Sequence, residues 1–126
     1  MEISTLFNKY VGTIEKLLNL VGYKDDRNKV KADLVNASYL NFVAIASENP
    51  NIKPLLLASP EQDIPFEEFE KKVEEVKIIL EKHDFDFVTN FKKAMKQTIS
   101  DFASELEPKL TSDKTAELRK LVTESI

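Results

Sequence analysis

The sequence of 126 residues contains no cysteine and no tryptophan, and it has only two glycines and one histidine. Without cysteine there is no disulfide scaffold, thiolate metal site, iron–sulfur cluster or thiol nucleophile. A single histidine, His83, also excludes any site that needs two imidazoles. With two glycines and five prolines, the chain lacks the turn residues that a sandwich or barrel of many short strands requires.

Strongly basic segments and long apolar runs are also missing. The formal net charge is −4, and all but two of the eighteen basic residues are lysine, so no nucleic-acid partner is expected. No apolar run approaches the roughly 18 residues needed to span a bilayer, and the N-terminus lacks a basic region followed by an apolar core. These absences predict a cytoplasmic protein without a membrane partner.

The sequence does contain clear helical periodicity, within a length that predicts one helical domain over residues 1–126. A first helix is predicted over about residues 4–21, where apolar residues recur at steps of three and four: Phe7, Tyr10, Ile14, Leu17 and Val21. Gly22 and Tyr23 fit the left-handed residue and the apolar residue that end such a helix. Gly12, inside the helix, suggests close approach by another helix.

A second helix is predicted from Asp25 or Asp26 to about Asn49. Residues 37–46 are apolar on almost every side, which is typical of a central helix with neighbours on several sides. Residues 50–65 contain four of the five prolines. They are predicted to form an ordered, stiff crossover with docked leucines, a short helical turn at Pro54 and a capping box at residues 59–62.

The third helix, over about residues 65–83, carries a heptad pattern of Phe66, Phe69, Val73, Val76, Leu80 and His83. The apolar series restarts one residue out of step at Val88, which predicts a break near residues 83–86. Asp84 or Asp86 then caps a fourth helix to Leu106, and a short fifth helix begins near residues 111–113. The predicted class is all-α: an antiparallel four- to five-helix bundle with a long Pro-rich crossover between helices 2 and 3.

Few residues are suited to catalysis or to metal binding. His83 is interpreted as a helix-terminal or core-edge residue, because no nucleophile motif accompanies it. The sequence has no Glu-x-x-His pair, no calcium-binding loop and no phosphate-binding glycine loop. Carboxylate pairs such as Glu74 and Glu75 fall on an outer helix face, where water surrounds them. No catalytic residue, metal ligand or cofactor is therefore predicted.

The outer surface of the third helix supplies the candidate interaction site. Ile79 flanks the core, and Ile78 points away from it. Five glutamates form an acidic stripe along one flank: Glu67, Glu68, Glu74, Glu75 and Glu81. The predicted patch for self-association or for a protein partner consists of Ile78, Ile79, Lys71, Glu74, Glu67 and Glu75. Two other interpretations of Ile78 stay open: a scattered exposed apolar residue, and burial under the crossover or the fifth helix.

The sequence therefore favours a small non-catalytic helical protein-interaction module: an adaptor, an inhibitor or a homo-oligomer. The alternative is a bundle that binds a small apolar ligand in a core lined by phenylalanines, among them Phe66, Phe69, Phe85, Phe87, Phe91 and Phe102. Phenylalanines at helical spacing are more often plain core. An enzyme that relies on carboxylates and lysines alone is the least favoured hypothesis.

Overall fold

Six α-helices make up the part of the chain that the computed structural model describes, residues 3–57 and 66–124 without the side chains of residues 57, 66 and 67. They are α1 (Ile3–Val21), α2 (Arg27–Ala46), α3 (Lys53–Leu57), α4 (Phe66–Glu81), α5 (Phe87–Leu106) and α6 (Ser112–Glu124), with a 3-10 turn at Glu107–Lys109. These two ranges contain no strand, which confirms the all-α class. The helix count exceeds four to five because α3 forms within the crossover.

The predicted apolar stripes are the faces that the helices bury in one hydrophobic core. On α4 the heptad positions from Phe69 to Leu80 are buried, whereas His83 lies exposed beyond the end of the helix. α2 and α5 form the most closely packed pair, and α1 and α4 pack against both of them. The core is therefore built around the α2–α5 contact, between helices that are distant in the sequence.

The break between α4 and α5 uses two aspartates for different purposes. Asp84 adopts a left-handed conformation (φ 59°), and the next residue, Phe85, donates its backbone N–H to the Leu80 carbonyl oxygen at 3.2 Å. Asp86 caps α5, because its carboxylate accepts the backbone N–H of Thr89 at 3.2 Å. Hydrogen bonds from the Thr89 side chain and backbone hold the pKa of that carboxyl below its usual value.

The described part of the crossover packs against the core. Ile52 and Leu56 are buried, and Leu55 is half-buried beside them. Pro54 is the second residue of α3, which matches the predicted short helical turn. The predicted capping box at residues 59–62 lies outside the described residues.

The two glycines have different structural roles. Gly22 has φ 68°, and Tyr23 donates its backbone N–H to the Leu18 carbonyl oxygen at 2.9 Å, as predicted for the end of α1. Gly12 lies inside α1, and a Cβ atom built there has no heavy atom of the described residues within 4 Å outside its own helix backbone and chain neighbours. The predicted close approach of another helix at Gly12 is therefore wrong.

The different conformations of Gly12 and Gly22 predict that substitution by alanine has opposite effects on stability at the two positions. Gly12→Ala should stabilise the protein by about 0.5–1 kcal/mol, because alanine favours the helix and its methyl group has free space. Gly22→Ala should destabilise it by about 1 kcal/mol, because a Cβ atom is strained at positive φ. Urea unfolding followed by circular dichroism measures both changes. Equal effects at the two positions would contradict this assignment.

Candidate interaction surfaces

One side of α2 is open to solvent. Its buried residues face the other helices (Val35, Ser38, Tyr39, Phe42 and Ala46). On the opposite side, Leu40 is 61% exposed and Ala44, one turn further on, is exposed as well. α2 contacts α1, α4 and α5, as predicted for a central helix with several neighbours, but Leu40 and Ala44 on its outer face stay exposed.

The outer face of α2 carries no charge over residues 34–47, more than three helical turns. Asn36 and Asn41, its polar residues beside the core, are both hydrogen-bonded: Asn36 donates to the Ala32 carbonyl oxygen at 2.9 Å. Within the two described ranges, no helix is both long enough and apolar enough to cross a membrane. Over residues 34–47, the open face of α2 is therefore an uncharged strip.

This strip borders an open groove of about 630 Å³, here called the α2–α5 groove. Its uncharged side is formed by α2 and α6, with Asn41, Ala44, Ile45 and Val122. Its polar side is formed by α5, with Lys93, Lys96, Gln97 and Ser100. Among the described residues, two lysines and no carboxylate line the groove, so its local charge is positive although the protein is acidic overall.

A buried polar cluster fixes one wall of the groove. The Asn41 side-chain amide donates to the Thr98 hydroxyl at 2.8 Å, and that hydroxyl donates to the Ala94 carbonyl oxygen at 2.9 Å. Behind them the Tyr10 hydroxyl is hydrogen-bonded to the Ser38 hydroxyl. Burial raises the pKa of Tyr10 well above its ordinary value, and its hydrogen bonds to Ser38 and Thr98 offset only part of that rise. The cluster links α1, α2 and α5 and keeps Asn41 in place.

The second surface lies on α4 and is here called the α4 ridge: Glu70, Lys71, Glu74, Glu75 and Ile78. Glu70, Glu74 and Ile78 follow one another at four-residue spacing and form a single row along the helix. Ile78 is 50% exposed at the end of this row. The Lys77 ammonium lies 3.9 Å from the Glu74 carboxylate and 3.4 Å from the Glu81 carboxylate.

The structure brings together four of the six residues in the predicted patch: Lys71, Glu74, Glu75 and Ile78. Burial of Ile78 under the crossover or the last helix is wrong, since half of its surface is exposed. The sequence reasoning missed Glu70, although its four-residue spacing to Glu74 was a usable signal.

The other two residues of the predicted patch are placed differently. Ile79 is 49% exposed and lines a small separate recess with Leu55, Leu56 and Tyr39. Ile79 therefore lies on the side of α4 that faces α3, and it is not part of the surface that contains Ile78. The side chain of Glu67 lies outside the described residues.

The phenylalanines of α2 and α5 pack directly on one another. The ring centroid of Phe42 lies 4.8 Å from that of Phe87 and 5.4 Å from that of Phe91, and these two rings are stacked at 5.2 Å. Such contacts are typical of a filled core. Phe42, Phe87 and Phe91 therefore contact one another directly in this part of the core.

No group of three or more histidine and carboxylate side chains within residues 3–57 and 66–124 is arranged to hold a metal ion. No protein-family model matches the chain, and comparisons with curated proteins and with solved structures find no significant match.

Proposed function

We propose that this protein is a non-catalytic protein-interaction module that uses its exposed apolar helix faces to bind another polypeptide. The observation that carries the proposal is the outer face of α2, where Leu40 is 61% exposed within an uncharged stretch of fourteen residues, 34–47. Single exposed apolar residues are ordinary on protein surfaces. Leu40 and the exposed Ala44 lie one turn apart beside an open groove, and apolar surface next to a groove favours binding.

The α4 ridge supports the same proposal. Ile78 is a β-branched apolar residue on a row that is otherwise charged, and half of it faces solvent. An apolar residue bordered by charged side chains resembles the arrangement of protein interfaces, in which a polar rim surrounds an apolar centre. Helix packing within this chain does not require Ile78, because the heptad face of α4 is already buried through Phe69, Val73 and Leu80.

Photocrosslinking tests this function whatever the identity of the partner. A benzophenone amino acid replaces Leu40 or Ile78 in the cells that naturally make the protein, and a third protein carries it in place of Asn8, which is exposed on α1. We expect discrete crosslinked polypeptides from positions 40 or 78 and none from position 8. The measurement is the crosslinked mass and its identity by mass spectrometry.

Purified protein provides the control for folding in the same experiment. The three substituted proteins should keep the helical circular dichroism spectrum and the unfolding midpoint of the wild type, because all three positions are exposed. Crosslinks that are equally diffuse from positions 8, 40 and 78 would overturn the proposed function.

A further inference from the structure

We infer that the partner of the α2–α5 groove is a second copy of this chain, which docks its α4 ridge there. This inference rests on the proposed function and assigns its partner. The two surfaces lie on different helices of the same molecule, and each is exposed in the single chain.

Charge complementarity is the first argument. In the described part of the chain, the groove is lined by Lys93 and Lys96 with no carboxylate, which makes it positive by two charges. Together with Lys77 and Glu81, which lie in ion-pair contact with it, the α4 ridge has four carboxylates against two ammonium groups, which makes it negative by two. Opposite local charges favour encounter and fix the register of a contact, whereas two like surfaces repel.

Shape and length are the second argument. The row from Glu70 to Ile78 extends about 12 Å along α4, from the 1.5 Å rise per residue. The α5 side of the groove, from Lys93 to Ser100, extends over about 10 Å by the same measure. Ridges of one helix pack into grooves formed by others, so a ridge and a groove of similar length can mate along their whole extent.

The arrangement of apolar groups is the third argument. The ridge ends in the exposed side chain of Ile78, and the groove has an uncharged side with Ala44 and Ile45. In the docked arrangement the glutamates lie against the α5 lysines and Ile78 lies against the uncharged side. Because the two surfaces differ, one molecule can use both at once, and its association continues beyond a dimer unless a ring closes.

The test is a charge-swap experiment on the purified full chain, with molar mass measured by light scattering over a concentration series. The wild type should associate as its concentration rises, and added salt should weaken this association because the contact is partly ionic. Lys93→Glu with Lys96→Glu, and separately Glu70→Lys with Glu74→Lys, should each raise the concentration needed for half-association by about tenfold or more.

The decisive measurement is whether association returns when the two charge-reversed surfaces are combined. A mixture of the two double variants should associate again, because each retains the surface that the other has lost. The protein carrying all four substitutions should also associate by itself, since both charges of the contact are then reversed. A purely structural effect of the substitutions predicts neither rescue.

The matched control is Lys9→Glu with Lys16→Glu, at two exposed lysines of α1. It changes the net charge from −4 to −8, as the groove variant does, because each Lys→Glu substitution removes two positive charge equivalents. This control should associate like the wild type. All variants should retain the wild-type circular dichroism spectrum, because the substituted lysines are exposed and the substituted glutamates are partly exposed.

Three outcomes would overturn the inference. The wild type could remain monomeric up to its highest soluble concentration, the α1 control could lose association as much as the groove variant, or the mixture could stay monomeric. In each of these cases a crosslink from Leu40 or Ile78 to a different polypeptide would still uphold the proposed function. The two proposals therefore fail separately.

Discussion

Phe42→Ala should lower the free energy of unfolding by about 3–5 kcal/mol, a large part of the stability of a domain of this size. Phe42 is fully buried, and its ring contacts four others: Tyr39, Phe85, Phe87 and Phe91. Truncation to alanine removes these contacts and leaves a cavity at the α2–α5 contact, where the surrounding helices relax only in part. Urea unfolding monitored by circular dichroism measures the loss.

Leu40→Ala is the matched control for this prediction, on the same helix and within one turn. Leu40 is 61% exposed, so its truncation should change the free energy of unfolding by less than about 0.5 kcal/mol. A loss of under about 1 kcal/mol for Phe42→Ala, or equal losses at the two positions, would show that α2 buries a different face.

Tyr10→Ala should also lower the free energy of unfolding by about 3–5 kcal/mol, whereas Tyr10→Phe should lower it by only about 1 kcal/mol. The Tyr10 ring is fully buried, and its hydroxyl reaches Ser38 and, at 3.2 Å, the Leu34 carbonyl oxygen. The phenylalanine variant keeps the ring. It leaves Ser38 satisfied, because the Ser38 hydroxyl still donates to the Leu34 carbonyl oxygen at 2.9 Å.

Measurements at alkaline pH distinguish the stability contribution of the Tyr10 hydroxyl from that of its ring. Burial raises the folded-state pKa of Tyr10 above its unfolded value of about 10, so the neutral hydroxyl stabilises the fold fully below that pH. As the pH rises above about 10 the unfolded state loses its proton first, and this contribution declines. The stability difference between the wild type and Tyr10→Phe should therefore shrink at alkaline pH. A difference that is constant with pH, or a Tyr10→Phe loss equal to that of Tyr10→Ala, would contradict this account.

Apolar periodicity and the residues that cap helices predicted most of the fold. Most of the α1 stripe, and the α4 stripe from Phe69 to Leu80, are buried as predicted, because apolar spacing near 3.6 residues specifies which helix face leaves water. The end of α1 at Gly22 and the start of α5 at Asp86 were also predictable, since these caps depend on neighbours within a few residues. The role of Asp84 was missed, because aspartate adopts a left-handed conformation only occasionally.

The candidate site was predictable only in part. The place of Ile78 outside the heptad of α4 followed from its spacing, but its burial under the crossover or the last helix stayed open until the structure showed it half exposed. The row with Glu74 followed from helical spacing. The α2–α5 groove was not predictable in this way, because its two sides come from helices that are far apart in the sequence. Residues that meet only through packing leave no local pattern.

The sequence by itself determined the all-α class, the faces that α1 and α4 bury, and the break between α4 and α5, because these depend on interactions between residues a few positions apart. The tertiary structure decided which face of α2 stays exposed. Residues 37–46 are apolar on nearly all sides, so no stripe marks an inner face. The choice depends on where α1, α4 and α5 pack, and that packing leaves Leu40 and Ala44 in solvent.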